Sequence, residues 1–265
     1  VNAMTGVYRP TEGAIRFLRE RDRQKPFFLY LPYSAPSAPH QHPDHKPPAP
    51  KVVKSWDSNE WQKGTREVYG LMVGRLDQAV GKVLKTLDDA GLRSNTLVIF
   101  ASDNGGYALA RNEPFRGRAS ELLEGGIRVP CIVRWPGVLP RGMVTDRPAI
   151  TLDLTASILR AAGARLPADR PLDGIDILKR IEKNRPIAHR ALFWRARRAD
   201  RTWRAVRQGT LKYVSRQDGE RVEEHLFDLG RDPGEKKDLL AARPEDARRL
   251  KKLLAQWEAE VRPAR

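Results

Sequence analysis

Leu97-Val98-Ile99-Phe100-Ala101-Ser102-Asp103-Asn104-Gly105-Gly106 is the stretch on which the reading of this chain turns. Its first five residues form an unbroken apolar run. That pattern predicts a short strand covered on both faces rather than a half-wet, alternating one. Asp103 and Asn104 follow almost at once, so the strand end opens into a turn presenting a carboxylate and an amide carbonyl. These are hard oxygen donors of the kind that hold Ca²⁺ or Mg²⁺. The same residues also suit an ordinary Asn/Gly turn after a strand.

Upstream, residues 11–23 are predicted to be a helix, with Thr11 as a possible N-cap and Ala14, Ile15 and Leu18 on one face. Pro26 stops that pattern, and 27–31 is a second continuous apolar strand. Residues 32–50 read as a Pro/His-rich loop. Tyr69, Met72, Leu76, Val80, Val83 and Leu87 recur at helical spacing and predict a helix over 65–90, ended by Gly91. Downstream, 107–127 is a polar loop, 131–135 a third strand and 152–162 a helix. Apolar strands alternating with amphipathic helices imply an α/β fold: a mostly parallel sheet between helices. In such sheets ligands collect outside the C-terminal strand ends, where both 32–50 and 102–127 emerge.

The character changes near residue 185. Short strands at 191–194, 203–207, 211–214 and 224–227, with turns at Gly209 and Asp218-Gly219, predict a small antiparallel sheet. A charged helix over 244–261 closes the chain. Two domains are therefore expected, 1–185 (α/β) and 186–265 (antiparallel sheet plus helix).

The chain has 265 residues, 40% of them hydrophobic, which supports a sizeable core. Its single cysteine excludes an internal disulfide, and its place in an apolar run predicts that Cys131 is a buried, inert thiol. No run reaches the roughly 18 apolar residues of a membrane span. No charged start precedes an apolar segment, so no signal peptide is visible; a first residue of Val1 reads like a cut upstream. The formal charge of +16 suits an acidic partner or a solvated Arg-rich surface. Zinc-finger spacing and aromatic RNA-binding motifs are missing, so nucleic acid is not the expected partner.

Several further blocks sharpen the picture. They are Lys25-Pro26-Phe27-Phe28-Leu29-Tyr30-Leu31 with Tyr33-Ser34-Ala35-Pro36, then Asn95 through Gly106, Glu124-Gly125-Gly126-Ile127-Arg128-Val129-Pro130, Leu172-Asp173-Gly174-Ile175-Asp176, and Leu226-Phe227-Asp228-Leu229 leading to Asp232-Pro233-Gly234-Glu235. In that order, over nearly the whole chain, they resemble the C-terminal portion of the sulfatase family, of the alkaline phosphatase superfamily. The resemblance implies hydrolysis of sulfuric esters and a Ca²⁺ (or Mg²⁺) site to which Asp103 and Asn104 contribute. It also implies a formylglycine nucleophile made from a Cys/Ser-x-Pro-x-Arg motif, which belongs to the family's N-terminal half. Without that segment the chain alone is expected to be inactive. A sulfate-ester substrate, an anionic glycan among the candidates, and a periplasmic or extracellular location follow by the same analogy.

Two sequences imitate missing parts. Ser34-Ala35-Pro36-Ser37-Ala38 has Ala where the nucleophile motif needs Arg, and Pro39 and Pro43 prevent the helix that should follow. Asp88-Asp89 imitates paired metal carboxylates but ends an amphipathic helix. Two departures from the family matter more. Ser37 occupies the position of a sulfate-contacting His, and Ala119 that of a Lys. His40 is placed to substitute from three residues on, as against an ordinary surface-loop histidine; His42 and His45 follow nearby, with prolines that fix no ligand geometry. Arg118 adjoins Ala119, but a planar guanidinium does not simply replace an ammonium. The rivals are a family member without catalysis that binds anionic ligands, and a phosphate or phosphonate ester hydrolase of the superfamily.

Overall fold

The structure is a computed structural model that describes residues 5–38, 40, 64–107, 109–165, 169, 171–183, 185 and 190–261. Its packing divides into two compact units. One comprises the chain up to Thr96 together with Tyr107–Arg111; the other comprises Leu97–Gly106 and everything from Asn112 on.

The first unit is helical. Helix α1 spans Thr5–Glu20 and packs on α2, Arg66–Asp89, around buried Val7, Ala35, Met72 and Ala79. Helix α1 starts earlier than the sequence predicts and runs through Pro10. Thr11 is therefore not its N-cap: it lies mid-helix, buried, and its hydroxyl donates to the Val7 carbonyl at 2.6 Å. A proline inside a helix costs about 3 kcal/mol. Burial of Val7, Ala14 and Leu18 along one face offsets that cost. Gly6 lets the helix meet the next segment, since a β-carbon there would lie 1.8 Å from Ser34 Oγ. Helix α2 is capped by Thr65, whose Oγ1 accepts from Val68 N at 3.2 Å.

The apolar run 27–31 is not a strand here. Phe28 and Tyr30 are 73% and 74% exposed, so the run lacks the two-sided cover that its composition anticipates.

The second unit holds all six strands of the described residues. Strand β1, Val98–Ala101, pairs antiparallel with β2, Cys131–Arg134. The strands β3 (Ala191–Arg198), β4 (Arg201–Gln208), β5 (Leu211–Asp218) and β6 (Arg221–Asp228) form an antiparallel meander. The mostly parallel sheet expected from the sequence is thus absent among the described residues, where every pairing is antiparallel. Cys131 likewise is exposed, not buried, and its neighbour Ile132 is 65% exposed. The physical reason is the same for both: β1 and β2 form a lone two-stranded ribbon, which cannot cover both faces of its own strands.

The four-stranded sheet is a two-sided object. On one face Val206, Leu211, Tyr213 and Leu226 pack against Ala247, Leu250 and Leu254 of the helix Pro244–Glu260. On the other, Trp203, Ala205, Val214 and Phe227 pack against Leu122 and Leu123 of the long loop between β1 and β2. Three two-residue hairpins join the strands. Each has a positive φ at its first central residue: Ala199 at 50°, Gly209 at 62° and Gly219 at 59°. That is the pattern of a type II′ turn, whose twist matches the flanking strands.

Three short helices complete the unit: α3 (Glu124–Ile127), α4 (Thr151–Ala161) and α5 (Ile177–Glu182). Pro244–Glu260 is therefore α6. Asp153, fully buried, accepts from the backbone of Ile150 and Ile175 at 2.9 Å each and pairs with Arg190. Gly174 allows the close crossing, because a β-carbon there would sit 2.0 Å from the Leu152 carbonyl oxygen. The Leu172–Asp176 block is thus explained by packing.

Candidate functional site

Asp103 and Asn104 lie just past the C-terminal end of β1, as the sequence predicts, and both side chains are exposed. Asp103 Oδ1 accepts from Asn104 N at 2.9 Å, and Asn104 Nδ2 donates to the Gly105 carbonyl at 2.8 Å. With its nitrogen engaged, Asn104 has its carbonyl oxygen available, alongside the second Asp103 oxygen. Two hard oxygen donors side by side fit part of a Ca²⁺ shell, which takes six to eight. No group of three or more His, Cys, Asp or Glu that could hold a metal ion exists among the described residues, so these two would make up only part of such a shell.

The loop carrying them is stitched to residues 112–126 by backbone contacts. Gly105 N donates to the Gly126 carbonyl at 2.9 Å, and Ala119 N donates to the Gly106 carbonyl at 3.1 Å. Asn112, which the sequence reading passed over, bonds Gly106 in both directions: its Oδ1 accepts from Gly106 N at 3.0 Å and its Nδ2 donates to Gly106 O at 2.9 Å. Its Nδ2 also donates to Gly117 O at 3.1 Å. The glycines are required by distance. A β-carbon at Gly105 would lie 1.8 Å from Gly125 O, and one at Gly126 would lie 2.1 Å from Glu121 O. Gly105, Gly125 and Gly126 therefore let three backbone segments touch.

Ala119 stands directly beside the loop of Asp103 and Asn104, yet offers only a methyl group. Arg118 does not stand in as a free cation: its Nε lies 3.4 Å from Glu121 Oε1. Ser37 closes an exposed turn through its N–H to Ser34 O at 2.8 Å. His40 is half-buried, its ring 5.7 Å from that of Tyr69. Burial lowers its pKa below the ordinary value, which favours the neutral imidazole. Its Nδ1 has no hydrogen-bond partner among the described residues. His42 and His45 fall outside those residues. Asp89 is an exposed helix-end carboxylate paired with Lys85 at 2.8 Å, and Asp88, half-buried, pairs with Arg93.

Behind the loop is a buried ionic cluster that the sequence did not announce. Lys212, on β5 and fully buried, reaches Glu124 Oε1 at 2.8 Å and Glu235 Oε1 at 2.9 Å. Glu235 Oε2 accepts from Glu124 N at 2.6 Å, and the Glu235 carbonyl accepts from Arg116 Nη1 at 3.0 Å. Arg207 lies at the edge, 3.7 Å from Glu124 Oε2. Burial pushes the Glu235 carboxyl above its usual value, against the pull of Lys212 and the Glu124 N–H.

Comparison with known proteins fits this arrangement. The sulfatase family model matches residues 9–164. This chain belongs to the sulfatase family. The model for the C-terminal region of N-sulphoglucosamine sulphohydrolase matches residues 120–261, which includes the four-stranded sheet and the whole of α6. The sulfatase chain is 32% identical to steryl-sulfatase of Rattus norvegicus over 93% of its own length and 46% of that protein's. It is 30% identical to N-acetylgalactosamine-6-sulfatase of Homo sapiens over 88% of its length and 47% of that protein's. Among solved structures it is similar to Ps i-CgsB, with a TM-score of 0.80 and 27% identity over 95% of this chain and 54% of that one. The chain thus spans about half the length of the curated relatives it matches. Those relatives are named sulfatases, hydrolases of sulfuric esters.

Proposed function

We propose that this chain forms the C-terminal part of a metal-assisted sulfatase acting on sulfuric esters. The observation that carries the reading is the Asp103-Asn104 pair at the end of β1, on a loop that Gly126, Asn112 and Ala119 hold in place. Asp103 and the Asn104 carbonyl would hold Ca²⁺, whose charge, when bound, offsets negative charge on the sulfuryl oxygens. The chain has no Cys/Ser-x-Pro-x-Arg sequence, so it does not supply the family's nucleophile. A sulfated glycan is the favoured substrate class. Ps i-CgsB was solved in complex with k-i-k-neocarrahexaose, and the +16 charge of this chain suits a polyanion.

The test is turnover of a generic aryl sulfate in Ca²⁺ by two proteins: the chain alone, and the chain joined to a sulfatase N-terminal half carrying Cys-x-Pro-x-Arg. Turnover only by the joined protein, lost in Asp103→Ala, supports the reading. Turnover by the chain alone, or activity indifferent to Asp103→Ala, overturns it.

Ala119 favours a second reading, a non-catalytic family member. It places a methyl group beside Gly106 where the family has a cation, and Arg118 is tied to Glu121. Inactivity of the joined protein together with tight binding of a sulfated oligosaccharide selects this reading. Preference of the joined protein for an aryl phosphate selects phosphoryl chemistry instead.

A further inference from the structure

We infer that Lys212, Glu124 and Glu235 act as a positioning clamp for the Asp103–Asn104 loop, so that the C-terminal sheet takes part in building the candidate site. The metal part of this inference rests on the function proposed above; the mechanical part does not.

The route is short and consists of direct contacts. Lys212 Nζ, from β5, holds the Glu124 carboxylate at 2.8 Å. Glu235 holds the Glu124 backbone N–H at 2.6 Å. Glu124 is thereby fixed at both its side chain and its main chain. It opens the four-residue turn Glu124–Ile127, whose Gly126 carbonyl accepts from Gly105 N at 2.9 Å. Gly105 is the residue after Asn104. Because a β-carbon at Gly105 would lie 1.8 Å from Gly125 O, the two backbones are in contact and a displacement of one moves the other.

Two features set the cluster apart from ordinary core packing. All three side chains are at most 3% exposed, so their charges are desolvated and rely on one another. Glu235 also holds φ at +54° without being glycine, a conformation that persists only where the surroundings over-determine it. The preceding block enforces it: Asp232 Oδ2 accepts from Lys236 N at 2.6 Å and Lys237 N at 2.8 Å, and a β-carbon at Gly234 would touch Pro114 O at 3.0 Å. Hydrophobic residues of the same volume would pack a sheet against a loop equally well. A clamp of paired charges fixes direction as well as distance, as a metal ligand loop requires.

The test compares wild type, Lys212→Met and Glu235→Gln, each joined to a sulfatase N-terminal half that supplies the remaining donors, by hydrogen exchange and by Ca²⁺ titration calorimetry. In Lys212→Met, exchange across 102–106 should accelerate at least about tenfold while β5 and β6 amides keep their protection. Ca²⁺ affinity should fall at least about fivefold, since the donors lose preorganisation. Glu235→Gln, which retains an acceptor for Glu124 N, should move both readouts the same way by less. If Lys212→Met does not fold, Glu235→Gln decides alone. Unchanged exchange at 102–106 in the folded variants, or acceleration spread evenly through the sheet, overturns the clamp. Failure of wild type to bind Ca²⁺ sinks the metal reading, and the clamp then stands or falls on exchange alone.

Discussion

The backbone N–H of Ala119 donates to the carbonyl of Gly106, in the loop that carries Asp103 and Asn104. A side chain lengthened at this position starts beside the candidate metal donors. Ala119→Lys, in the protein joined to a nucleophile-bearing N-terminal half, should therefore raise kcat/KM on an aryl sulfate. One preorganised cation of this kind contributes a few kcal/mol, so the rise should be about tenfold or more. Unchanged kinetics would show that the lysine is dispensable in this protein and that the methyl group is no lesion. Arg118 is the natural control, because its bond to Glu121 keeps it out of the comparison. The register that places Ala119 was legible in the sequence, since Glu124-Gly125-Gly126 lies five residues on. Asn112 was not legible: an asparagine in a polar loop looks like any turn residue until its three bonds to Gly106 and Gly117 are seen.

The sheet β3–β6 is built from three tight hairpins, and two of them place glycine where φ is positive. The third places Ala199 there, at φ 50°. An L-residue in the left-handed region carries a penalty of about 1 kcal/mol that glycine escapes. Ala199→Gly should therefore raise the urea midpoint, adding about 0.5–1 kcal/mol of stability. A fall in the midpoint would mean that the flexibility gained by the unfolded chain outweighs the relieved turn. Elements with strong local signals were read correctly. Helix α2 followed its apolar period and stopped at Gly91, and the turns at Gly209 and Gly219 followed from glycine itself. Elements whose identity depends on a distant neighbour were misread. An apolar run becomes a buried strand only when strands flank it on both sides: among the described residues 27–31 pairs with none, and the Cys131 strand pairs with β1 alone. Lys212 escaped notice for a related reason. Its partner Glu124 lies 88 residues away, and a lone lysine in a strand pattern looks solvated.

At the scale of the whole chain, the two units carry unequal cores. The helical unit buries a small cluster centred on Val7, Ala35, Met72 and Ala79. The other has two clusters, one on each face of the four-stranded sheet. Hydrophobic stabilisation follows buried apolar area, so the two units should not open together. In rising urea, amides of α1 and α2 should lose protection from hydrogen exchange before those of β4 and β5. Coincident loss in both would show a single cooperative body. The clamp adds a dimension of time. Glu124 and Glu235 are separated by 111 positions, whereas each hairpin of the sheet closes over a two-residue turn. Local pairings form early and long loops close late. During synthesis the Asp103–Asn104 loop leaves the ribosome well before β5, and earlier still than residue 235. At the ordinary pace of translation, about 5–20 residues per second, the loop would wait several seconds or longer for its anchor. A metal ion captured in that interval would meet an unbraced loop, so loading of the site should follow completion of the C-terminal sheet.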